Sequence, residues 1–161
     1  MGERAIGILG GAGRMGRTLI RAVSETRGAR LVGAADAPTS PERGKDIGLL
    51  AGIGALGIGL ADDPETLFRG ADVVIDFTVP QATARHARLA AETGTAYVVG
   101  TTGLEPAQQA LVAEAAARAA VVQAANFSLG VNLALAPTRK LAETLDDDFD
   151  IEIVELHHRH K

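Results

Sequence analysis

The sequence contains no cysteine and no tryptophan, and aromatic residues make up only 3% of its 161 positions. Without cysteine, disulfide bonds, thiolate catalysis and thiolate zinc sites are excluded, which agrees with a reducing compartment. Because aromatic rings are scarce, the core must be built from Ala, Val, Leu and Ile, and a hydrophobic content of 47% supplies them. The length is enough to bury a substantial core and indicates one domain.

The chain also lacks an excess of positive charge, since 16 Lys and Arg stand against 20 Asp and Glu for a net charge of -4. We therefore expect neither nucleic acid nor an anionic membrane surface as a partner. The N-terminal "MGERAIGILG" has too few apolar residues for a signal peptide, and no uncharged apolar run is long enough to span a membrane. These features predict a cytoplasmic, soluble protein.

Short apolar segments alternate with longer Ala-rich stretches that have helical spacing. Segments that are apolar along nearly their whole length are typical of a parallel sheet with helices on both faces. The last segment instead alternates Ile with Glu, which indicates one exposed face and the start of a separate antiparallel sheet. Residues 37–60 are predicted to form a glycine-rich loop with weak short-helix character. The predicted strands are "RAIGILG", "ARLVGAAD", "ADVVIDFT", "TAYVVG", "AVVQAA" and "FDIEIVELHH".

The pattern G-x-G-x-x-G occurs twice, at Gly11–Gly16 and at Gly52–Gly57. The first copy follows an apolar strand and opens a helix, so that its backbone N–H groups and the positive end of the helix dipole can face a pyrophosphate. The second copy has no strand before it and is interpreted as loop. The first copy predicts a dinucleotide site, with a purely structural turn as the alternative.

Asp36 ends the second predicted strand, twenty residues beyond Gly16. A carboxylate at this position accepts hydrogen bonds from the adenosine ribose hydroxyls. It also repels a 2′-phosphate, and the next residue is Ala37 rather than a cation. NADH is therefore the favoured cofactor. NADPH stays possible because Arg14, inside the glycine loop, can still reach a phosphate.

Three further strand ends carry polar, glycine-bearing loops: "DFTVP", "GTTG" and "AANFSLGVN". The carboxyl ends of parallel strands share one edge of the sheet, so these loops are expected beside the glycine loop. Their side chains offer hydrogen bonds to an amide or a ring, and the alternative for Thr78, Thr102 and Ser128 is a helix cap. The ligand-facing candidates are Thr101, Thr102, Asn126 and Ser128.

The chain stops at "ELHHRHK", which holds three of its four histidines. On an extended strand His157 and Lys161 share one face and can converge on a substrate. His158 and His160 share the other face, but a third metal ligand is lacking there, so no metal site is predicted. Arg159 interrupts the histidine run, which argues against a purification tag.

Taken in order, "GGAGRMG", "DFT", "GTTG", "AANFSLGVN" and "ELHHRHK" resemble the 4-hydroxy-tetrahydrodipicolinate reductase (dihydrodipicolinate reductase) family of diaminopimelate and lysine biosynthesis. The resemblance covers the whole chain. It implies an α/β fold, a Rossmann-type doubly wound parallel sheet over residues 1–128, with a connecting helix and the first strand of an antiparallel α+β substrate domain over 129–161.

The family's chains continue beyond this point into a D-A-P-S-G-T run and the remainder of the substrate domain. The resemblance therefore implies that this chain is the N-terminal part of such a reductase, and we expect it to bind NADH but to turn over little substrate. It also implies a whole protein that is a homotetramer through the domain absent here.

The resemblance further implies the roles of individual residues. His157 would be the proton donor and acceptor and Lys161 a second proton donor, while His158 would bind the small dicarboxylate substrate; Arg159 and His160 would attract anions. The alternatives are a non-catalytic NAD-binding module, or a related amino-acid dehydrogenase such as aspartate dehydrogenase, which would not require "HHRHK". The implied cofactor-binding residues are Gly10, Gly11, Ala12, Gly13, Arg14, Met15, Asp36, Gly100, Thr101, Thr102, Ala124, Ala125, Asn126 and Phe127.

Overall fold

The structure is a computed structural model that describes residues 2–145, 148–154 and 156. Strands and helices alternate along most of the chain, as the apolar pattern predicts. The elements are β1 (Arg4–Leu9), α1 (Arg14–Glu25), β2 (Ala29–Ala35), α2 (Ile47–Ala51), α3 (Pro64–Gly70), β3 (Val73–Asp76), α4 (Pro80–Thr93), β4 (Ala96–Val99), α5 (Pro106–Ala115), β5 (Val121–Gln123) and α6 (Leu129–Thr144).

The five strands form one parallel sheet in the order β2-β1-β3-β4-β5. The chain runs from β1 outward to β2 on one side, and then crosses to β3 on the other side of β1. This reversal creates a switch point between β1 and β3, and open α/β sheets bind their ligands beyond the carboxyl ends of the strands at such a point. The predicted doubly wound parallel sheet is confirmed.

Two clusters of buried side chains lie on the two faces of the sheet. On one face Ile6 and Ile8 of β1 pack with residues of α1 and α2. On the other face residues of α3, α4 and α5 pack together, and Phe68 meets Tyr97 edge to face with 5.6 Å between ring centroids. These two rings are the largest fully buried side chains. Small alanines fill much of the remaining space, since the chain has few aromatic residues to bury.

The glycine-rich stretch of residues 37–60 contains the short helix α2, as its weak helical character indicates. Asp46 caps the helix by accepting hydrogen bonds from the backbone N–H groups of Gly48 and Leu49. The helix ends at Gly52, whose positive φ of 72° lies in the left-handed region that glycine adopts without strain. The second G-x-G-x-x-G copy therefore follows a helix instead of opening one, which confirms its interpretation as loop.

Two elements differ from the sequence-based expectation. Helix α3 is not among the predicted elements; Asp63 caps it and Pro64 lies in its first turn. The predicted sixth strand is not observed in residues 148–154 or at Leu156. A strand requires a neighbouring strand to pair its backbone groups, and the described residues provide none for this segment. Pro137 lies inside the continuous α6.

The chain divides into two compact units, residues 1–125 and residues 126–161. The first contains the entire sheet and α1 to α5, and the second contains α6. The assignment of residues 129–161 to a second domain stays a prediction. Over the described ranges, no helix has both the length and the apolar character needed to cross a membrane.

Candidate functional site

A cavity of about 610 Å³ opens at the carboxyl ends of β1, β2 and β3, at the switch point of the sheet. Gly13 of the first glycine motif and Gly10 just before that motif line it, together with Asp36 after β2 and Thr78 after β3. Segments distant in the sequence thus meet where the topology predicts a ligand. We call this space the large cavity.

Backbone hydrogen bonds hold the glycine loop in a tight turn. The N–H groups of Gly10 and Gly11 both donate to the carbonyl of Ala35, at 2.9 and 3.1 Å. Gly10 has a φ of 77°, and the N–H of Gly13 donates back to its carbonyl at 3.0 Å. A Cβ placed on Gly16 would lie only 2.1 Å from that same carbonyl oxygen. The glycine loop and the first turn of α1 can approach this closely only because Gly10 and Gly16, which meet at this contact, have no side chains.

Helix α1 begins at this loop with Gly13 as its N-cap residue. Since glycine has no side chain, no capping hydrogen bond from the N-cap side chain occupies the start of the helix. Gly13 lines the large cavity, so the positive end of the α1 dipole is directed at it. Arg14 and Met15 are the first two residues of α1, and both are exposed. This arrangement can bind an anionic group such as a phosphate.

Asp36 lies on the wall of the large cavity in a fixed orientation. One carboxylate oxygen accepts a hydrogen bond from the N–H of Ala12 at 2.8 Å, and the other accepts from the N–H of Ala37 at 2.7 Å. The carboxylate therefore connects the end of β2 to the glycine loop. An ionised oxygen can accept more than one hydrogen bond, so the ribose-binding function predicted for Asp36 is compatible with both contacts.

The same wall carries two more acidic residues. Glu42 pairs with Lys45 at 2.8 Å, and Asp62 pairs with Arg43 at 2.9 Å. The hydrogen bond from Lys45 lowers the pKa of Glu42 below its usual range. The wall near Asp36 thus presents carboxylates, each already paired with a cation or with backbone N–H groups.

A smaller cavity of about 200 Å³ lies at the carboxyl ends of β4 and β5. Thr101 and Thr102 line it from one side, and Ala124 and Ala125 line it from another. Four residues predicted on separate loops are therefore brought together, and we call this space the small cavity. Gly100 packs against the ring of Phe77, because a Cβ at Gly100 would lie 2.2 Å from a ring carbon.

The remaining predicted residues have different positions. Asn126 and Phe127 belong to the second unit, where the side-chain oxygen of Asn126 accepts a hydrogen bond from the N–H of Ser128 at 2.7 Å. The predicted residues His157, His158, Arg159, His160 and Lys161 lie outside the described residues.

The helix-cap alternative does not hold for Thr78 or Thr102, since Val79 and Glu105 are the N-cap residues of α4 and α5. Ser128 is the N-cap residue of α6 but makes no capping hydrogen bond with its side chain.

A cluster of polar side chains beneath the cavities is absent from the sequence-based predictions. Asp76 ends β3 and is completely buried, and its carboxylate is surrounded by donors. His86 donates from Nδ1 at 2.8 Å and Thr78 from its hydroxyl at 2.6 Å, and Tyr97 donates from its phenol. The Asp76 cluster consists of Asp76, Thr78, Thr83, His86, Tyr97 and Thr101.

Two features of the sequence point toward this cluster. "VVID" places an acidic residue at the end of an apolar strand, where a carboxylate needs partners. "TARH" places Thr83 and His86 three residues apart, on one face of the following helix. Neither feature identifies Tyr97, which reaches Asp76 from the next strand of the sheet.

The environment of Asp76 favours its ionised form. Burial alone raises the pKa of a carboxyl group, but here the hydrogen bond and charge of His86, with the hydrogen bonds of Thr78 and Tyr97, more than offset it. The net effect holds the pKa of Asp76 below its usual range. Burial and the adjacent carboxylate raise the pKa of Tyr97, which keeps the phenol protonated as a donor.

We expect acid to destabilise the chain partly through Asp76. A carboxyl group whose pKa is lower in the folded than in the unfolded state stabilises the fold above its unfolded pKa, about 3.9 for Asp, and this stabilisation is lost as the pH falls through the folded pKa. The free energy of unfolding should therefore fall below about pH 4, and less steeply in Asp76→Asn. Some of the fall should remain, because hydrogen bonds from the N–H of Leu56 and from Thr66 lower the pKa of Asp46 and of Asp63, respectively.

Denaturant unfolding measured across this pH range checks the prediction. If the free energy of unfolding falls equally steeply with decreasing pH in both proteins, Asp76 contributes nothing to the acid sensitivity of the fold.

Comparisons of the sequence with known proteins agree on one family. The family model described as "Dihydrodipicolinate reductase, N-terminus" matches residues 4–127. A protein from Afipia carboxidovorans named 4-hydroxy-tetrahydrodipicolinate reductase is 50% identical over the whole chain, and one of the same name from Rhizobium meliloti is 46% identical. The chain covers 59% of the first relative and 66% of the second, so it spans about three-fifths of the first relative's length.

Solved structures share the fold. A dipicolinate-bound dihydrodipicolinate reductase from Paenisporosarcina sp. TG-14 superposes with a TM-score of 0.70 at 21% identity, over 87% of this chain and 54% of that one. The Rex-family repressor RSP, in complex with beta-NADH, superposes with a TM-score of 0.56 at 18% identity, over 88% of this chain and 61% of that one.

The parallel sheet, its switch-point cavity and the glycine loop before α1 define a Rossmann-type nucleotide-binding domain. The match of the family model over most of the chain identifies it more closely. The chain belongs to the dihydrodipicolinate reductase family.

Proposed function

We propose that this chain is the cofactor-binding part of an NAD(P)H-dependent 4-hydroxy-tetrahydrodipicolinate reductase, which reduces a small dicarboxylate in diaminopimelate and lysine biosynthesis. The observation that carries the proposal is the large cavity, where the glycine loop and Asp36 meet at the switch point. Family membership supports the substrate class. We further propose that the protein is cytoplasmic and that the whole protein is a homotetramer.

In this proposal the two cavities hold the two ends of one dinucleotide. The glycine loop, from Gly10 to Met15, holds the pyrophosphate against the positive end of α1. The N–H groups of Gly10 to Gly13 shape this loop, since each is bonded to Ala35, Asp36 or Gly10. Asp36 accepts hydrogen bonds from the adenosine ribose at the large cavity. Thr101, Thr102 and the residues 124–127 hold the nicotinamide side. When bound, the reduced nicotinamide supplies a hydride to the substrate ring.

The proposed catalytic groups are His157 and Lys161. Hydride addition builds negative charge on the substrate ring, and an acid within reach neutralises that charge by donating a proton. An imidazole suits this transfer because its ordinary pKa is close to neutral pH. His158 binds a substrate carboxylate.

We propose that NADH is preferred over NADPH. The 2′-phosphate of NADPH would approach the carboxylate of Asp36, which among the described residues is paired only with backbone N–H groups. Glu42 and Asp62 line the same wall but are paired with Lys45 and Arg43, so the repulsion is assigned to Asp36. Ala37, the residue after Asp36, offers no cation to the phosphate. Arg85 also lines the large cavity, so binding of NADPH is weakened and not abolished.

Replacing Asp36 with asparagine should shift the preference toward NADPH. The substitution removes the negative charge and keeps one acceptor oxygen, so the dissociation constant for NADPH should fall relative to that for NADH by about tenfold, equivalent to about 1.4 kcal/mol. Titration of both dinucleotides by calorimetry measures the ratio. Asp72→Asn is the matched control, because Asp72 also accepts a backbone N–H, that of Ala5, but at the opposite end of the sheet. An unchanged ratio in Asp36→Asn would contradict the preference.

The proposed function is tested with a chimera that joins this chain to the C-terminal remainder of the Afipia carboxidovorans relative. We expect the chimera to oxidise NADH when the hydroxy-tetrahydrodipicolinate substrate is added, and the 161-residue chain alone to bind NADH with little turnover. Absorbance of the reduced nicotinamide follows the reaction. A chimera that folds and binds NADH without turnover would favour a non-catalytic nucleotide-binding module instead.

A further inference from the structure

The Asp76 cluster connects the walls of the two cavities. Thr78 lines the large cavity and Thr101 lines the small one, and the two loops that carry them follow β3 and β4. The N–H of Thr78 donates to the hydroxyl oxygen of Thr101 at 3.1 Å. The N–H of Gly100 donates to the carbonyl of Asp76 at 2.8 Å, which ties the second loop to the end of β3. Hydrogen bonds of this cluster therefore link the loop after β3 to the loop after β4.

The hydroxyl of Thr83 completes the connection from helix α4. It lies 2.8 Å from the hydroxyl oxygen of Thr101 and 3.1 Å from a carboxylate oxygen of Asp76, and both can accept its proton. The hydroxyl of Thr101 in turn donates to Asp76 at 3.4 Å. Thr83 is completely buried and touches neither cavity wall itself. Thr83 thus acts on the cavities only through its hydrogen-bond partners, whereas Asp76 also contacts a residue on the wall of the large cavity. His86 donates its Nδ1–H to the carboxylate, which fixes the orientation of its ring beside the large cavity.

Stability alone gives little reason for such a cluster. Removing a carboxylate from water carries a large cost, and apolar side chains of similar volume often stabilise a core as well or better. Satisfied polar networks do, however, hold one arrangement rigidly, since each donor and acceptor has a defined partner. In the described residues every buried side-chain polar atom has a hydrogen-bond partner.

We propose that the Asp76 cluster is a positioning device that holds the loops of residues 76–80 and 100–103 at one separation, so that a single extended dinucleotide can occupy both cavities. Asp76 and Thr83 are positioning residues in this inference, which rests on the proposed function. The hydrogen bond between Thr83 and Thr101 should matter more for a ligand that reaches both cavities than for one that fills only the large cavity.

Two ligands separate these cases in the 161-residue chain. NADH reaches both cavities, whereas ADP-ribose lacks the nicotinamide and needs only the large one. Thr83→Val keeps the shape of the side chain but removes the hydroxyl. We expect it to raise the dissociation constant of NADH about fivefold, the effect of losing one buried hydrogen bond, and that of ADP-ribose less than about twofold. Thr83→Ser restores the hydroxyl and should restore NADH binding.

The matched control is Thr95→Val, at the amino end of β4. Thr95 is also buried, and its hydroxyl donates to the carbonyl of Phe68 at 2.7 Å, far from the cavity edge of the sheet. It should lower the melting temperature about as much as Thr83→Val and leave both dissociation constants unchanged. Asp76→Asn is a second variant, for which we expect a larger loss of NADH affinity. If Asp76→Asn does not fold, the comparison of Thr83→Val with Thr83→Ser alone tests the positioning role.

Equal changes for NADH and ADP-ribose in Thr83→Val, or no change for either, would overturn the positioning role while leaving the proposed function intact. If the unsubstituted chain binds neither ligand, the proposed function is wrong and the inference is wrong with it. The two failures are distinguishable because the second appears before any substitution is made.

Discussion

Gly16→Ala is expected to lose both fold stability and dinucleotide binding. The added Cβ would lie 2.1 Å from the carbonyl oxygen of Gly10 and 2.7 Å from the Cα of Gly11. Both are backbone atoms, and the N–H groups of Gly10 and Gly11 are bonded to Ala35. The loop can only accommodate the methyl group by moving away from α1. Overpacking of this kind costs about 3 kcal/mol of unfolding free energy.

The same displacement should weaken NADH binding by about a hundredfold, since the loop that holds the pyrophosphate against α1 would move by roughly an ångström. Thermal unfolding and NADH titration measure the two effects. Gly70→Ala is the matched control: a Cβ there meets no heavy atom within 4 Å and the residue has no positive φ. That control should keep wild-type binding. If Gly16→Ala binds NADH as the unsubstituted chain does, the glycine loop is not the phosphate site.

His157→Gln is expected to give the largest loss of activity. In the chimera with the Afipia carboxidovorans remainder, kcat should fall by about a hundredfold to ten-thousandfold, the range associated with loss of a general acid or base. Glutamine keeps a polar side chain of similar size, but its amide does not ionise near neutral pH and cannot act as a general acid or base. The dissociation constant for NADH should be unchanged, because the proposed role of His157 lies in proton transfer and not in cofactor binding.

Steady-state oxidation of NADH together with equilibrium titration checks both halves of this prediction. His160→Gln is the neighbouring comparison, and because His160 is assigned only to anion attraction, its kcat should change by less than about tenfold. Equal losses in the two variants would argue that the histidines act together as a charged patch. Retained turnover in His157→Gln would remove His157 from the proposed mechanism.

The fold was largely predictable because its determinants are local. Each strand from β1 to β5 is a short apolar run, and the helices that follow carry apolar residues at helical spacing. Boundaries were less predictable: β5 covers only Val121–Gln123, about half of the predicted segment. Helix α3 was missed because a short helix depends on its Asp63 cap and on burial of Leu67 and Phe68, not on a long periodic pattern.

The candidate site was predictable where a motif combines a fixed residue spacing with a predicted strand before it and a predicted helix after it. The glycine loop and Asp36 lie on one cavity because the topology of a parallel sheet brings the ends of β1 and β2 together. Thr101 and Thr102 were likewise predicted at this edge, but their environments differ. Thr101 is buried in the Asp76 cluster and Thr102 is exposed, a distinction that two adjacent threonines in one motif do not reveal.

The sequence by itself determined the class of sheet, the glycine loop and the acidic residue that faces it, because each follows from a repeating pattern or a fixed spacing along the chain. Only the tertiary structure decided the partners of Asp76. His86, Tyr97 and Thr101 lie 10, 21 and 25 residues away, on a helix, a neighbouring strand and a loop. A buried carboxylate must find donors, but which donors reach it depends on how strands and helices pack, and no local pattern carries that information.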